Sequence, residues 1–475
     1  MTSIMTTRGE PAALDGAVDD LAEAVRGEVI RPGDATYADA RAIWNGMIDR
    51  RPGMIVRCAD TDDVSTVVRF AVDHDLEFAV RGGGHNVAGT ASIDDGLVID
   101  LSAMTEVWVD PEARIARAGG GATWAHVDAA TQPHGLAAPG GVVSETGIGG
   151  LTLSGGIGWL RRTHGMSCDN LVAARLVTAA GDVLDVDDES DHDLMWALRG
   201  GGGNFGVVTE LTYRLHQVGP EVFVGFVIHR ADRISEVLET FERWTADLAD
   251  EVSALAVCGA IPDADEVPEE WRGEPGVMIV ACATADSTTG ERLVAPIREV
   301  ADPVADLSGP MPFLELQRLF DEDYPNGLHY YWKSLHLRGL DARTIERIEK
   351  WTATRPSLLT TVDVWHLGGA MGRVAPDATA YGDRSAPYLL AIESNWEDPA
   401  DDELNLEWTR RCVEAFADLS TGRQYLNFPG FFEDGDATLR SAYGEANYRR
   451  VSEVKTRLDP DNRFRRHQNV PPGSS

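Results

Sequence analysis

Lysine is nearly absent from this chain of 475 residues: among 42 basic residues only Lys333, Lys350 and Lys455 are lysines, the rest being arginine. Basic residues of both kinds are outnumbered by 77 acidic ones, leaving a net charge of -35. A surface of that sign repels a phosphate backbone, which argues against a nucleic-acid partner. Cysteine is sparse too. Cys58, Cys168, Cys258, Cys282 and Cys412 are widely spread, odd in number and without a C-x-x-C pair, so neither a disulfide framework nor a zinc site is indicated. No stretch reaches the roughly 18 consecutive apolar residues of a membrane span. The opening MTSIMTTRGEPAALDG has no basic region leading into an apolar run. A soluble, cytoplasmic protein without membrane contact is expected. Internal repeats and low-complexity linkers are missing as well.

What is present is the composition of a globular protein, 43% hydrophobic and 25% charged, which excludes disorder over most of the chain. At roughly 150 residues per domain the length predicts two or three lobes. An acidic surface whose cations are nearly all arginine is that expected of a salt-adapted protein. In molar salt the Debye length falls to about 3 Å, and the carboxylates stop repelling one another while still holding water and counterions.

Short units of strand, helix and glycine corner predict an α+β fold. Residues 1–49 read as an N-terminal segment with one or two short helices and no recognisable chemistry. Within 50–218, MIVRCA reads as a strand, DTDDVSTVVRFAVDHD as a helix with Val64, Val67, Val68 and Ala71 on one face, and DNLVAARLVTAAGDVLDV as a hairpin. Residues 219–425 alternate strands such as VFVGFVI, VMIVACA and YLLAIESNW with helical segments such as RISEVLETFERWTADL, predicting a second lobe. Residues 426–475 close the chain with a helix broken at Asp-Pro and an extended tail.

Gly201, Gly203 and Gly206 have the G-x-G-x-x-G spacing of a dinucleotide site, but a helix precedes them and a strand follows, the reverse of the Rossmann order. Arg81-Gly82-Gly83-Gly84-His85-Asn86 directly follows an apolar strand, where successive glycines can turn their N–H groups toward one anion. A second glycine cluster, Gly147 to Gly158, points to backbone approaching a long cofactor at several places. His126, Asp128 and His134 share a segment, yet their spacing fits no closed ligand set, so no metal is expected.

The order RGGGHN, TGIGGLTLSGGIGWLRRTHGMSCDN, WALRGGGGNFGVVT, then Tyr425-x-Asn427 with LDPDNRFRRHQN, resembles the FAD-linked oxidases of the berberine bridge enzyme-like family, which share the vanillyl-alcohol oxidase, PCMH-type FAD-binding fold. The similarity runs from about Pro52 to Pro472. It implies a two-lobe molecule whose PCMH-type FAD domain is followed by a substrate domain, the C-terminal segment returning to the first lobe. It also implies FAD joined through its 8α-methyl to His85. Bicovalent relatives carry a cysteine where this chain has Val143, so a single link is expected, with Cys168 packing nearby. The same resemblance places Arg81, Gly82, Gly83, Gly84, His85, Asn86, Ala88, Thr146, Gly147, Gly150, Ser154, Gly155, Gly206 and Val208 along the cofactor, with Asn427 and Asn469 returning to its ring edge.

Flavin chemistry needs a neighbouring base when the substrate is an alcohol. Tyr425 matches the family's Y-x-N tyrosine and is the candidate. With an ordinary phenol near pKa 10, it would need its phenolate stabilised, for example by Lys333 or an arginine. Tyr330, Tyr331, Trp365 and His366 are candidate cavity-wall residues. The expected function is oxidation of an alcohol, a sugar or other polyhydroxylated small molecule, with O2 as acceptor; small Thr146, beside the flavin in the family's arrangement, favours oxygen access. Dehydrogenation with another acceptor, oxidation of an amine or alkaloid-like ring, and non-catalytic flavin binding are the alternatives. Oligomeric state is not legible.

Overall fold

The computed structural model describes residues 3–473 apart from 15, 301, 432 and 434. Its first lobe is built on two sheets. In the smaller, Met54–Arg57, Leu97–Asp100 and Phe78–Arg81 run parallel, and Glu28–Ile30 pairs antiparallel with Met54–Arg57. The helix Thr61–Asp73 covers this sheet. Asp60 caps it by accepting from the Asp62 and Asp63 N–H groups, and Val64, Val67, Val68 and Ala71 form the buried face expected from their spacing. The second sheet is antiparallel, in the order Val183–Asp187, Leu171–Val177, Val207–Arg214, Ile115–Gly119, Val107–Asp110. Its first two strands are the hairpin predicted around Ala-Gly-Asp. His192–Leu198 precedes the glycine run and Val207–Arg214 follows it, the order that argued against a Rossmann site.

The N-terminal residues do more than contribute the helices Ala17–Ala24 and Tyr37–Arg41. Glu28–Ile30 extends the first sheet, and a three-residue strand is too short to announce itself by periodicity. The two ends of the chain also meet: Asp75 accepts from Thr7 Oγ1 at 2.7 Å and from Arg463 Nη1 at 2.6 Å. Phe464 packs edge-on to Phe78.

The second lobe is a large antiparallel sheet whose main strands run in the order Glu221–Arg230, Pro275–Ala283, Val252–Ala260, Thr361–His366, Tyr388–Trp396, His329–Leu337. Side chains alternate between its faces. Val227, Ala256, Ile279, Val362, Val364 and Leu390 pack under the covering helices, among them Ile234–Thr245 and Ala342–Thr352. Leu255, Val280, Trp365 and Leu389 face the first lobe. Burial on both faces explains why these strands read as nearly continuous apolar runs.

Arg161 and Arg162, on a short turn of the first lobe, stitch the lobes together. Arg161 donates to the carbonyls of Ala254 (2.5 Å) and His366 (2.8 Å), and Arg162 to those of Val252 (2.9 Å), Leu367 (2.5 Å) and Leu248 (2.7 Å). The helices Gly435–Tyr443 and Glu445–Leu458 then return the chain to the first lobe's core through Leu439, Tyr448, Val451 and Val454. Among the described residues no helix is long and apolar enough to cross a membrane.

Candidate active site

Between the lobes lies a cavity of ≈ 1370 Å³, above the roughly 300–1,000 Å³ of a site for one small molecule. It runs from the glycine loops of the first lobe to the inner face of the second lobe's sheet, a shape that suits a long cofactor with a substrate beside it. Gly82, Gly83, Gly84, His85 and Asn86 line it after the strand Phe78–Arg81. Thr146, Gly147, Gly150 and Ser154 line it around the helix Ile148–Leu153, and Gly206 and Val208 at the start of Val207–Arg214. Tyr425 and Asn427 reach it from the C-terminal side. Three separate glycine-bearing stretches thus converge on one wall.

The glycines are needed where the first two stretches touch. A Cβ at Gly83 would lie 2.6 Å from the Gly147 backbone, and one at Gly147 would lie 2.5 Å from Gly83 N. Both are closer than side chains tolerate, so the two loops form one backbone-walled cradle. A cleft walled by glycine backbone, where no side chain intervenes, suits a flat ring joined to a pyrophosphate.

Four of the expected cofactor residues lie outside the lining. Arg81 is a buried strut: its guanidinium donates to the carbonyls of Ala40 and Ala91. Ala88 donates its N–H to Asn86 Oδ1 at 3.0 Å and so holds the loop's shape. Gly155 packs behind the wall against Met166 and Tyr381. Asn469 leaves its Oδ1 buried and without a partner, while the neighbouring His467 and Gln468 line the cavity.

His85 is neutral. Burial of its ring pushes the imidazole down to about 4, and Nε2 has no hydrogen-bond partner. One face of the ring stacks on Trp44, with centroids 4.1 Å apart and planes at 17°, and the other face of Trp44 stacks on Tyr330 at 3.7 Å. Asn45 donates to the carbonyls of Val87 (2.7 Å) and Tyr330 (2.8 Å). The N-terminal segment therefore fixes the histidine and ties its loop to the second lobe, a role no local pattern announces. Val143 lines the cavity. Cys168 sits in the apolar core, its N–H donating to the Gly155 carbonyl and burial pushing its thiol up.

The Tyr425 oxygen lies within 3.1 Å of the Gly156 and Ile157 N–H groups and 2.8 Å of Asn427 Nδ2. Gly156 turns its N–H inward from a backbone at φ +88°, a conformation other residues rarely adopt. A neutral phenol oxygen has two lone pairs, so three donors match the acceptor capacity of a phenolate. Burial opposes them and pushes the phenol up to about 12. The cation expected beside it is replaced by these neutral donors; Lys333 Nζ instead lies 3.4 Å from Glu433 Oε1.

Of the four candidate wall residues, Trp365 lines the cavity. Tyr330 stacks on Trp44, and Tyr331 donates to Glu433. His366 sits beside Arg162, with its imidazole pushed down to about 2 by burial and by Arg162 and Arg161. Its ring lies outside the cavity lining and holds a proton weakly, so it is poorly placed to take one from a substrate. The sequence reading passed over two acids of the roof, Asp363 and Glu393, each alone in an apolar strand.

Residues 52–187 match the family described as FAD binding domain, and 424–471 the one described as berberine and berberine like. The chain is 30% identical to the uncharacterised FAD-linked oxidoreductase YgaK of Bacillus subtilis, over 94% of this chain and 97% of that one. It is 31% identical to (R)-6-hydroxynicotine oxidase of Paenarthrobacter nicotinovorans, over 95% and 98%. The crystal structure of 6-hydroxy-D-nicotine oxidase from Arthrobacter nicotinovorans superposes with a TM-score of 0.85 at 30% identity, covering 94% of this chain and 98% of that one.

Proposed function

The chain belongs to the berberine bridge enzyme-like FAD-linked oxidoreductases, and from that premise we propose that it oxidises a small molecule at a carbon bearing a hydroxyl or amino group, Tyr425 taking the accompanying proton and O2 serving as final acceptor. Bound FAD supplies the acceptor of the hydride at its N5. The observation that carries the reading is the triply hydrogen-bonded Tyr425 oxygen, placed between the cradle and the roof, where a substrate's heteroatom would sit. Asn427 lines the cavity and also donates to the Leu151 carbonyl at 3.2 Å, so its amide orients the phenol and anchors it to the cradle.

The cradle accommodates the cofactor through the residues that line it. His85, neutral and with Nε2 unpartnered, is suited to a single covalent link to the flavin. Val143 has no sulfur for a second. Acid-precipitated protein should therefore stay yellow and fluorescent, peptide mapping should place flavin only on the peptide carrying His85, and His85→Ala should release FAD into the supernatant. Colourless precipitated wild type would refute the link. O2 as acceptor is favoured by the modest size of Thr146 in the cavity wall. Air should reoxidise the reduced protein within seconds, and a reduced flavin that persists for minutes would assign a different acceptor.

A further inference from the structure

An imidazole can be held by its edge, through hydrogen bonds to its nitrogens, or by its faces, through stacking. His85 is held by a face. Among the described residues no other residue hydrogen-bonds the ring, and its Nε2 is buried without a partner. Trp44 lies nearly parallel to it, with centroids 4.1 Å apart, and Tyr330 backs Trp44 at 3.7 Å and 13°. Stacking fixes the plane of the ring without engaging a nitrogen, so the atom that must form a bond is not spent on holding the ring still.

Trp44 in turn is held by the second lobe. Its Nε1 donates to the Tyr324 carbonyl at 2.8 Å, and its own carbonyl accepts from the Gly327 N–H at 2.9 Å. Beside it, Asn45 Oδ1 accepts from the Tyr330 N–H at 3.1 Å, and the Gly46 N–H donates to the Leu328 carbonyl at 2.8 Å. The indole is 2% exposed and shares an apolar cluster with Val87, Tyr330 and Trp332. Residues 44–46 are thus bonded into the 324–330 stretch of the second lobe, while the Trp44 ring presses on a residue of the first. The plane of His85 is set across the junction between the lobes.

We infer that Trp44 is a positioning residue for flavin attachment: it presents the His85 ring to the cofactor by stacking, and does so once the second lobe has docked. The inference rests on the reading of His85 as the site of the link and adds the residue that governs how fast the link forms. In the link a C–N bond joins the imidazole to the flavin 8α-carbon. One proton leaves that carbon and one leaves the imidazole nitrogen, and the two protons with two electrons pass to O2, giving hydrogen peroxide. Trp44 takes no part in these transfers; it narrows the orientations that the ring samples.

The test follows linking in the full chain, produced under riboflavin starvation and mixed with FAD in air. Samples are quenched in acid over time, and attached flavin is read by its fluorescence in denaturing gels. Trp44→Leu should slow linking by about tenfold to 10²-fold, the usual cost of a misplaced reacting group. Capture of FAD, read by quenching of its fluorescence on mixing, should stay within about threefold of wild type. Trp44→Phe restores a flat ring and should bring the linking rate back to within about threefold. Tyr330→Leu, a change in the second lobe alone, should slow linking by at least about fivefold. Trp44→Leu linking as fast as wild type, or Trp44→Phe linking no faster than Trp44→Leu, would overturn the inference. If Trp44→Leu does not fold, Tyr330→Leu decides, and an unchanged rate there overturns it equally. Wild type that captures FAD and never links it sinks the reading of His85 beneath, whereas wild type that links no faster than Trp44→Leu sinks this inference only.

Discussion

As the proposed base, Tyr425 has to be both buried and able to lose a proton. Three N–H donors hold its oxygen in the arrangement an anion needs, and the dry surroundings set the price of ionising it, up to about 12. The phenol is thus neutral through the ordinary working range, and the anionic fraction grows about tenfold for each pH unit below that value. The rate of flavin reduction by an alcohol should rise with pH accordingly. Tyr425→Phe keeps the ring and its packing, so flavin content should survive. Reduction should slow by about 10²- to 10⁴-fold, the usual worth of a general base, and lose its rise with pH. Stopped-flow traces of the reductive half-reaction measure both, and a variant within about threefold of wild type would move the base elsewhere.

At the scale of elements the Arg161–His164 turn carries much of the attachment between lobes. Among the described residues the buried Arg161 guanidinium has no carboxylate beside it, and burial pushes it down to about 9. Backbone carbonyls alone satisfy it. Arg161→Met fills similar volume but orphans those carbonyls, at about 1–3 kcal/mol each. Urea unfolding should show a lower midpoint and a separate early transition for the second lobe, and a single unchanged transition would contradict this. Long periodic elements such as Thr61–Asp73, and the hairpin at Ala-Gly-Asp, were legible in the sequence because their signals are local. So was the glycine cradle, because glycine has few other reasons to cluster. Three features were not. Trp44 meets His85 only after the chain has folded, the donors to Tyr425 are backbone groups that no side chain reports, and Asp363 becomes half of an acidic pair only through the register of two strands. The stabilisation that Tyr425 is expected to need comes from these N–H donors, a cation being only one example of what could supply it.

Across the whole molecule, the surface carries many Arg–carboxylate pairs with both partners largely in water, such as Arg343–Asp418 and Arg26–Asp62. Such pairs contribute little and are weakened by salt, whereas the mutual repulsion behind a net charge of -35 is relieved by it. We expect the melting midpoint to climb from dilute buffer to molar KCl; a flat or falling curve would remove the salt-adapted reading. The meeting of both chain ends at Asp75 has a consequence for synthesis on the ribosome. Thr7 emerges before the second lobe and Arg463 after it, so the first lobe waits for this clasp while the whole second lobe is made. At about 5–20 residues per second that wait lasts some tens of seconds. A chain stopped before residue 463 would leave the ribosome without this clasp, however well its second lobe had folded.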